Sequence, residues 1–151
     1  MPFPSHQTFD YITVLHARAF AQPVIGIGTG LSASANAGHW LYEGTGMKEG
    51  DTVTGLVGWE WHGAPARVLS GLEILAQGPM LPENPMYSSH AATIYDGPQG
   101  NVVFNAGTIW WAQGLASPPG HVLPAHQHAK PQGPDPRVQR MTANLFNRFI
   151  N

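Results

Sequence analysis

No cysteine occurs anywhere in the 151 residues, which excludes a disulfide framework, a thiolate zinc site and a cysteine nucleophile. That fits a reducing compartment, and a cytoplasmic location is the expectation. Charge is also scarce. Asp, Glu, Lys and Arg make up 11% of the chain and the net charge is -2, against ~25% charged residues in ordinary domains. Without a basic excess there is no electrostatic footprint for nucleic acid or acidic lipid. No apolar run approaches the ~20 residues that span a bilayer, and Met1-Pro2-Phe3-Pro4-Ser5-His6 lacks the basic-then-apolar opening of a secretory leader. A soluble protein is expected, with neither nucleic acid nor membrane among its partners.

Glycine (18), proline (14) and tryptophan (5) are plentiful instead. Loops and aromatic packing should therefore take a large share of the structure. The length suits a single domain over residues 1–151, able to bury roughly two-thirds of its unfolded surface.

The most informative stretch is residues 90–115. His90 to Tyr95 and Asn101 to Thr108 are strand-like runs, and Asp96-Gly97-Pro98-Gln99-Gly100 between them has the chemistry of a tight reversal. The pattern predicts a β-hairpin over about 90–108. Val102-Val103-Phe104 is apolar on both faces, so that arm should be covered on both sides, as in a layered α/β domain. Trp110 and Trp111 follow on a short helical turn. At the C-terminal end, Asp135-Pro136 supplies a cap and a first-turn proline. Val138, Met141, Leu145 and Phe149 then recur at helical spacing, with Phe146 and Ile150 widening the stripe. A helix over about 136–150 should dock on the sheet, with Arg137, Gln139, Arg140, Asn144, Asn147 and Arg148 on its solvated side.

Elsewhere, Val53 to Trp61 and Val68 to Ala76 read as strands, and residues 39–51 as an ordered loop held by Trp40 and Tyr42. Within residues 6–20, a short helix or a strand from Tyr11 to Leu15 would both fit. Val24-Ile25-Gly26-Ile27-Gly28 opens a glycine-rich segment without the spacing of a dinucleotide-binding loop, so close backbone passage is its simpler use. Prolines 118, 119, 124, 131, 134 and 136 make a long loop of residues 117–136.

Chemistry centres on Glu60, which lies between Trp59 and Trp61. A carboxylate desolvated there has its pKa raised and can activate water near neutral pH; a strand-end hydrogen bond to a loop amide is the other use. His39 and Glu43 can orient a water or ligand from their loop, or cap and brace it. His90 heads the hairpin as a second donor or a structural histidine. With Trp59, Trp61, Trp110 and Trp111 it is a candidate for a pocket wall. His121, His126 and His128 have metal-binding chemistry, but a proline-rich loop offers them no rigid support, and no residue is assigned to a metal.

The run from His39 to Asp51, Gly55-Leu56-Val57-Gly58-Trp59-Glu60, His90-Ala91-Ala92-Thr93, Val103-Phe104-Asn105-Ala106-Gly107-Thr108 and the closing Asp135-Pro136-Arg137-Val138-Gln139-Arg140 resemble, in order and spacing, the C-terminal domain of the N,N-dimethylformamidase large (beta) subunit. The likeness runs over about residues 36–151. It implies a glutamine-amidotransferase-like α/β fold with a mixed sheet, and a link to amide C–N hydrolysis assisted by iron. In that family the iron is held by tyrosine and glutamate side chains, mainly upstream of the matching region, and Tyr11, Tyr42, Tyr87 and Tyr95 do not correspond to them. The resemblance thus implies the closing part of a larger domain, with Glu60 facing its cavity. A small amide is the expected substrate, and an upstream domain, a partner subunit or a second copy the expected partner. The contrasting expectation is a non-catalytic interaction domain that docks through its tryptophan-rich sheet.

Overall fold

The computed structural model describes residues 31–32, 37–57, 61–62, 70–79, 89–123 and 132–150. Residues 6–20, the glycine-rich run at 24–30, Trp59, Glu60, Val68, His126 and His128 lie outside that set. Strands β1 (Leu31–Ser32) and β2 (Thr52–Val53) form one short antiparallel pair. β3 (Glu73–Pro79), β4 (Ser89–Asp96) and β5 (Val102–Asn105) form a sheet in that order, and the α-helix of the described residues, α1 (Pro136–Ile150), comes after them in the chain. The result is an α/β arrangement in which every strand pairing among the described residues is antiparallel.

The hairpin forms where its turn chemistry places it. Gly97 N–H donates to Asn101 O at 2.6 Å and Gly100 N–H to Gly97 O at 3.1 Å. β4 then pairs with β5 from Asp96↔Val102 to Thr93↔Asn105. The arm covered on both sides is β4, however, and not Val102 to Phe104. Position in the sheet explains this. β4 is central, and His90 to Ile94 are buried without alternation, whereas every residue of β5 is half-buried.

Two other strands depart from the sequence reading. The segment expected to run unbroken from Val53 to Trp61 stops pairing after Val53. It turns at Thr54-Gly55, buries Leu56 and Val57, and re-enters as a single antiparallel bridge from Trp61 to Thr108. Thr108 Oγ1 donates to Leu56 O at 2.9 Å, so Leu56 is held to the end of the hairpin by a side chain. β3 begins at Glu73, after a turn at Ser70-Gly71, and a bulge between Ile74 and Ala76 brings Leu75 and Ala76 both into the core.

Helix α1 spans the expected residues. Asp135 Oδ1 accepts the Arg137 N–H at 2.8 Å, and Asp135 O accepts the Gln139 N–H at 3.0 Å. Val138, Met141 and Leu145 are buried against Leu41, Tyr42, Leu56 and Val57 in the core. The apolar stripe ends there. Phe146, Phe149 and Ile150 are 62%, 53% and 77% exposed. Nor is the polar face wholly solvated. Asn144 Nδ2 donates to Leu41 O at 2.9 Å and Glu43 O at 2.8 Å, and Arg137 pairs with Asp135 and donates to Thr52 O at 3.1 Å. The loop at 39–51 is fixed from the other side by Tyr42, whose hydroxyl donates to Leu75 O at 2.6 Å.

Candidate functional site

Chemistry-bearing side chains gather at two places on opposite ends of β4. His39 feels the charges of Glu73 and Asp96, so it stands by the Asp96 end, whereas His90 occupies the other. From His90 to Asp96 is about 20 Å of extended strand. His39 and Glu43 therefore do not share a site with His90.

At the Asp96 end, His39 caps the turn Trp40–Tyr42, with its Nδ1 accepting the Leu41 N–H at 3.2 Å and its ring 4.9 Å from that of Trp40. Burial lowers its pKa, against the raising effect of Glu73 and Asp96. Glu43 is exposed, and with Trp40, Asn144, Asn147 and Arg148 it lines an open cleft of about 570 Å³.

At the other end, β4 and β5 part beyond the Thr93↔Asn105 pair, and Trp61-His62 fill the fork. His62 N–H donates to Gly107 O at 2.9 Å, and Ala91 N–H donates to His62 O at 3.2 Å. Gly107 is required there. Its φ is +65°, and a Cβ would run into the Ala91 carbonyl oxygen and stand 2.9 Å from His90 Nε2. His90 is fully buried, and its Nε2–H donates to Ala106 O at 3.0 Å. Nδ1 is left as a buried acceptor without a partner among the described residues. Desolvation, against the raising effect of that bond and helped by nearby His62, takes its pKa down to about 4, so the ring is neutral.

Asn105 connects the fork to a second imidazole. Its Oδ1 accepts the Gly107 N–H at 2.9 Å, and its Nδ2 lies 2.6 Å from His62 Nδ1. The opposite amide orientation would set N–H2 against the Gly107 N–H, losing a hydrogen bond and leaving a buried donor unpaired, at about 1–3 kcal/mol. Neither His62 nor Asn105 stands out in the sequence. The only local hints are that His62 follows Glu60 by two positions and that Asn105 ends an apolar strand two positions before a glycine.

Of the expected pocket residues, Trp61 and Trp110 are buried in this region. Trp110 Nε1 has no partner among the described residues. Trp111 is half-buried, with Nε1–H donating to Thr142 Oγ1 at 3.1 Å and its ring edge-on to Phe104 at 5.2 Å. These tryptophans tie elements together and present no broad aromatic surface. His121 is exposed and hydrogen-bonds Gln113 Oε1 at 2.7 Å.

Among the described residues no three His, Asp, Glu or Cys side chains converge. The Tyr42 phenol, pushed up to about 12 by burial, serves as a donor to Leu75 O and is no phenolate.

A family model described as N,N-dimethylformamidase beta subunit-like, C-terminal, matches residues 16–128, more than half of the chain. The match starts earlier than the expected residue 36 and stops short of α1. No curated protein and no solved structure matches the chain.

Proposed function

We propose, from the premise that this chain belongs to the N,N-dimethylformamidase beta subunit-like, C-terminal family, that it is a domain of an iron-dependent amide C–N hydrolase, incomplete as a catalyst by itself. The family match, which takes in both Glu60 and the residues of the fork, is the observation that carries the reading. When bound, iron would supply Lewis-acid activation of the amide or of water. Its ligands are assigned to other parts of the complete family protein, within a glutamine-amidotransferase-like fold, and no step here is routed through it. On this reading Glu60 is the general base. It takes a proton from water as the water oxygen bonds to the amide carbon, then returns it to the nitrogen as the C–N bond breaks and the amine leaves. The substrate is a small amide, and the absence of cysteine supports work in the cytoplasm. Among the described residues no helix is long and apolar enough to cross a membrane.

The test is amide hydrolysis and elemental analysis on this chain, with and without its genomic upstream neighbour. Glu60→Gln should lower kcat by about 10²–10⁴-fold while the melting temperature stays within a degree or two. Unaltered turnover in that variant removes Glu60 from the chemistry, and preparations active without iron remove the metal.

One observation favours a second reading, an interaction domain. Phe146, Phe149 and Ile150 form an exposed apolar end to α1, a surface on which a partner subunit or a second copy can dock.

A further inference from the structure

The cleft of about 570 Å³ beside the turn Trp40–Tyr42 combines a fixed floor with two free charges. The floor is pinned through its backbone. Asn144 Nδ2 donates to Leu41 O and Glu43 O, Glu43 N–H donates to Trp40 O at 3.1 Å, and the His39 ring lies 4.9 Å from the Trp40 indole. Glu43 and Arg148 are both exposed and both line the cleft, yet among the described residues neither side chain forms an ion pair, with the other or with a third group. Their attachment points are close. Glu43 O is bonded to Asn144, and Arg148 follows Asn144 by one helical turn, about 6 Å along the axis. A carboxylate and a guanidinium thus share one hollow with an indole, on anchors spaced at the scale of one amino acid.

We propose that this cleft binds a small zwitterion, a free α-amino acid with an apolar side chain. A ligand carrying only a cation would meet the Arg148 charge, and one carrying only an anion would meet that of Glu43. A dipolar ligand satisfies both. Its carboxylate takes parallel N–H donors of the Arg148 guanidinium, its ammonium takes Glu43, and its side chain lies on Trp40. Because the backbone under Trp40 and Glu43 is already held, binding has to order little beyond the two long charged side chains. The site stands at the other end of β4 from the fork, and amide hydrolysis or its absence leaves it unchanged.

The test is 1H–15N NMR on the 15N-labelled chain at neutral pH, titrated with L-phenylalanine, 2-phenylethylamine and 3-phenylpropanoate. These share a side chain and carry both charges, the cation alone and the anion alone. Phenylalanine should shift the Trp40 indole N–H and the Glu43 and Arg148 amides saturably, half-complete at about 1 mM. Each single-charge analogue should bind about fivefold more weakly. Glu43→Gln should weaken phenylalanine and the amine about fivefold and spare the acid, whereas Arg148→Gln should weaken phenylalanine and the acid and spare the amine. Both positions are exposed, so both variants should fold, which unchanged amide signals from β3, β4 and β5 verify. The proposal is overturned if no saturable shift appears at the cleft by about 50 mM phenylalanine, or if either analogue binds as tightly as phenylalanine. Losses in the two variants that ignore which charge the ligand carries overturn it as well.

Discussion

Replacing Gly107 by alanine tests the fork most directly. A non-glycine residue held at φ +65° costs about 1 kcal/mol. The added methyl would also overlap the Ala91 carbonyl oxygen and lie 2.9 Å from His90 Nε2 and 3.1 Å from the Ala91 carbonyl carbon. None of these is the free end of a flexible side chain, so relief requires the fork to open. Opening weakens the His62-to-Gly107 and His90-to-Ala106 hydrogen bonds, each contributing about 0.5–1.5 kcal/mol. The sum is about 2–4 kcal/mol. At about 2–4 °C per kcal/mol for a domain of this size, thermal unfolding followed by circular dichroism should show a drop of about 10 °C. Gly120 supplies the control, since its φ is +79° and nothing lies within 4 Å of its would-be Cβ. Gly120→Ala should cost only the backbone penalty, about 1 kcal/mol. Equal losses in the two variants would refute the close approach of Gly107 to β4.

His90 gives a pH prediction. Its pKa is about 4 in the folded chain against 6.5 unfolded, so the unfolded state binds more protons between those values and stability falls as pH drops from 6.5 to 4. The slope contributed is at most about 1.4 kcal/mol per pH unit, and urea unfolding of His90→Gln across that window should lack it; identical slopes would show that His90 is not buried neutral. Asn144→Ala removes the donor shared by Leu41 O and Glu43 O and should cost about 1–2 kcal/mol in urea unfolding, while a loss near zero would mean that the loop is held to α1 by packing alone.

Legibility in the sequence followed the range of the interactions. Helix α1 was readable to the residue because its cap and stripe are local, with Asp135 bonding to Arg137 two positions away. The hairpin was readable because Gly97 to Asn101 carries its own turn. The end of the apolar stripe was not. Phe149 has the right spacing yet is exposed, since periodicity defines a face and not what lies against it. β3 was misplaced because its bulge at Leu75 breaks the alternation that would have marked it. The fork was least visible. His62 and Asn105 are 43 positions apart, and no local pattern announces that an asparagine at the end of one strand will face a histidine from so far upstream. The same limit explains why His39 and His90, both conspicuous in the chain, stand at opposite ends of β4.

Because the amides of His62 and Ala91 are tied to the same few atoms beyond the parting of the two arms, neither can meet solvent deuterium unless the other is released. Their exchange should be synchronous, a local opening that leaves α1 protected. Each such excursion would also free the Asn105 amide to rotate away from His62 Nδ1 and the Gly107 N–H, so the side-chain bridge lasts only as long as the closed state.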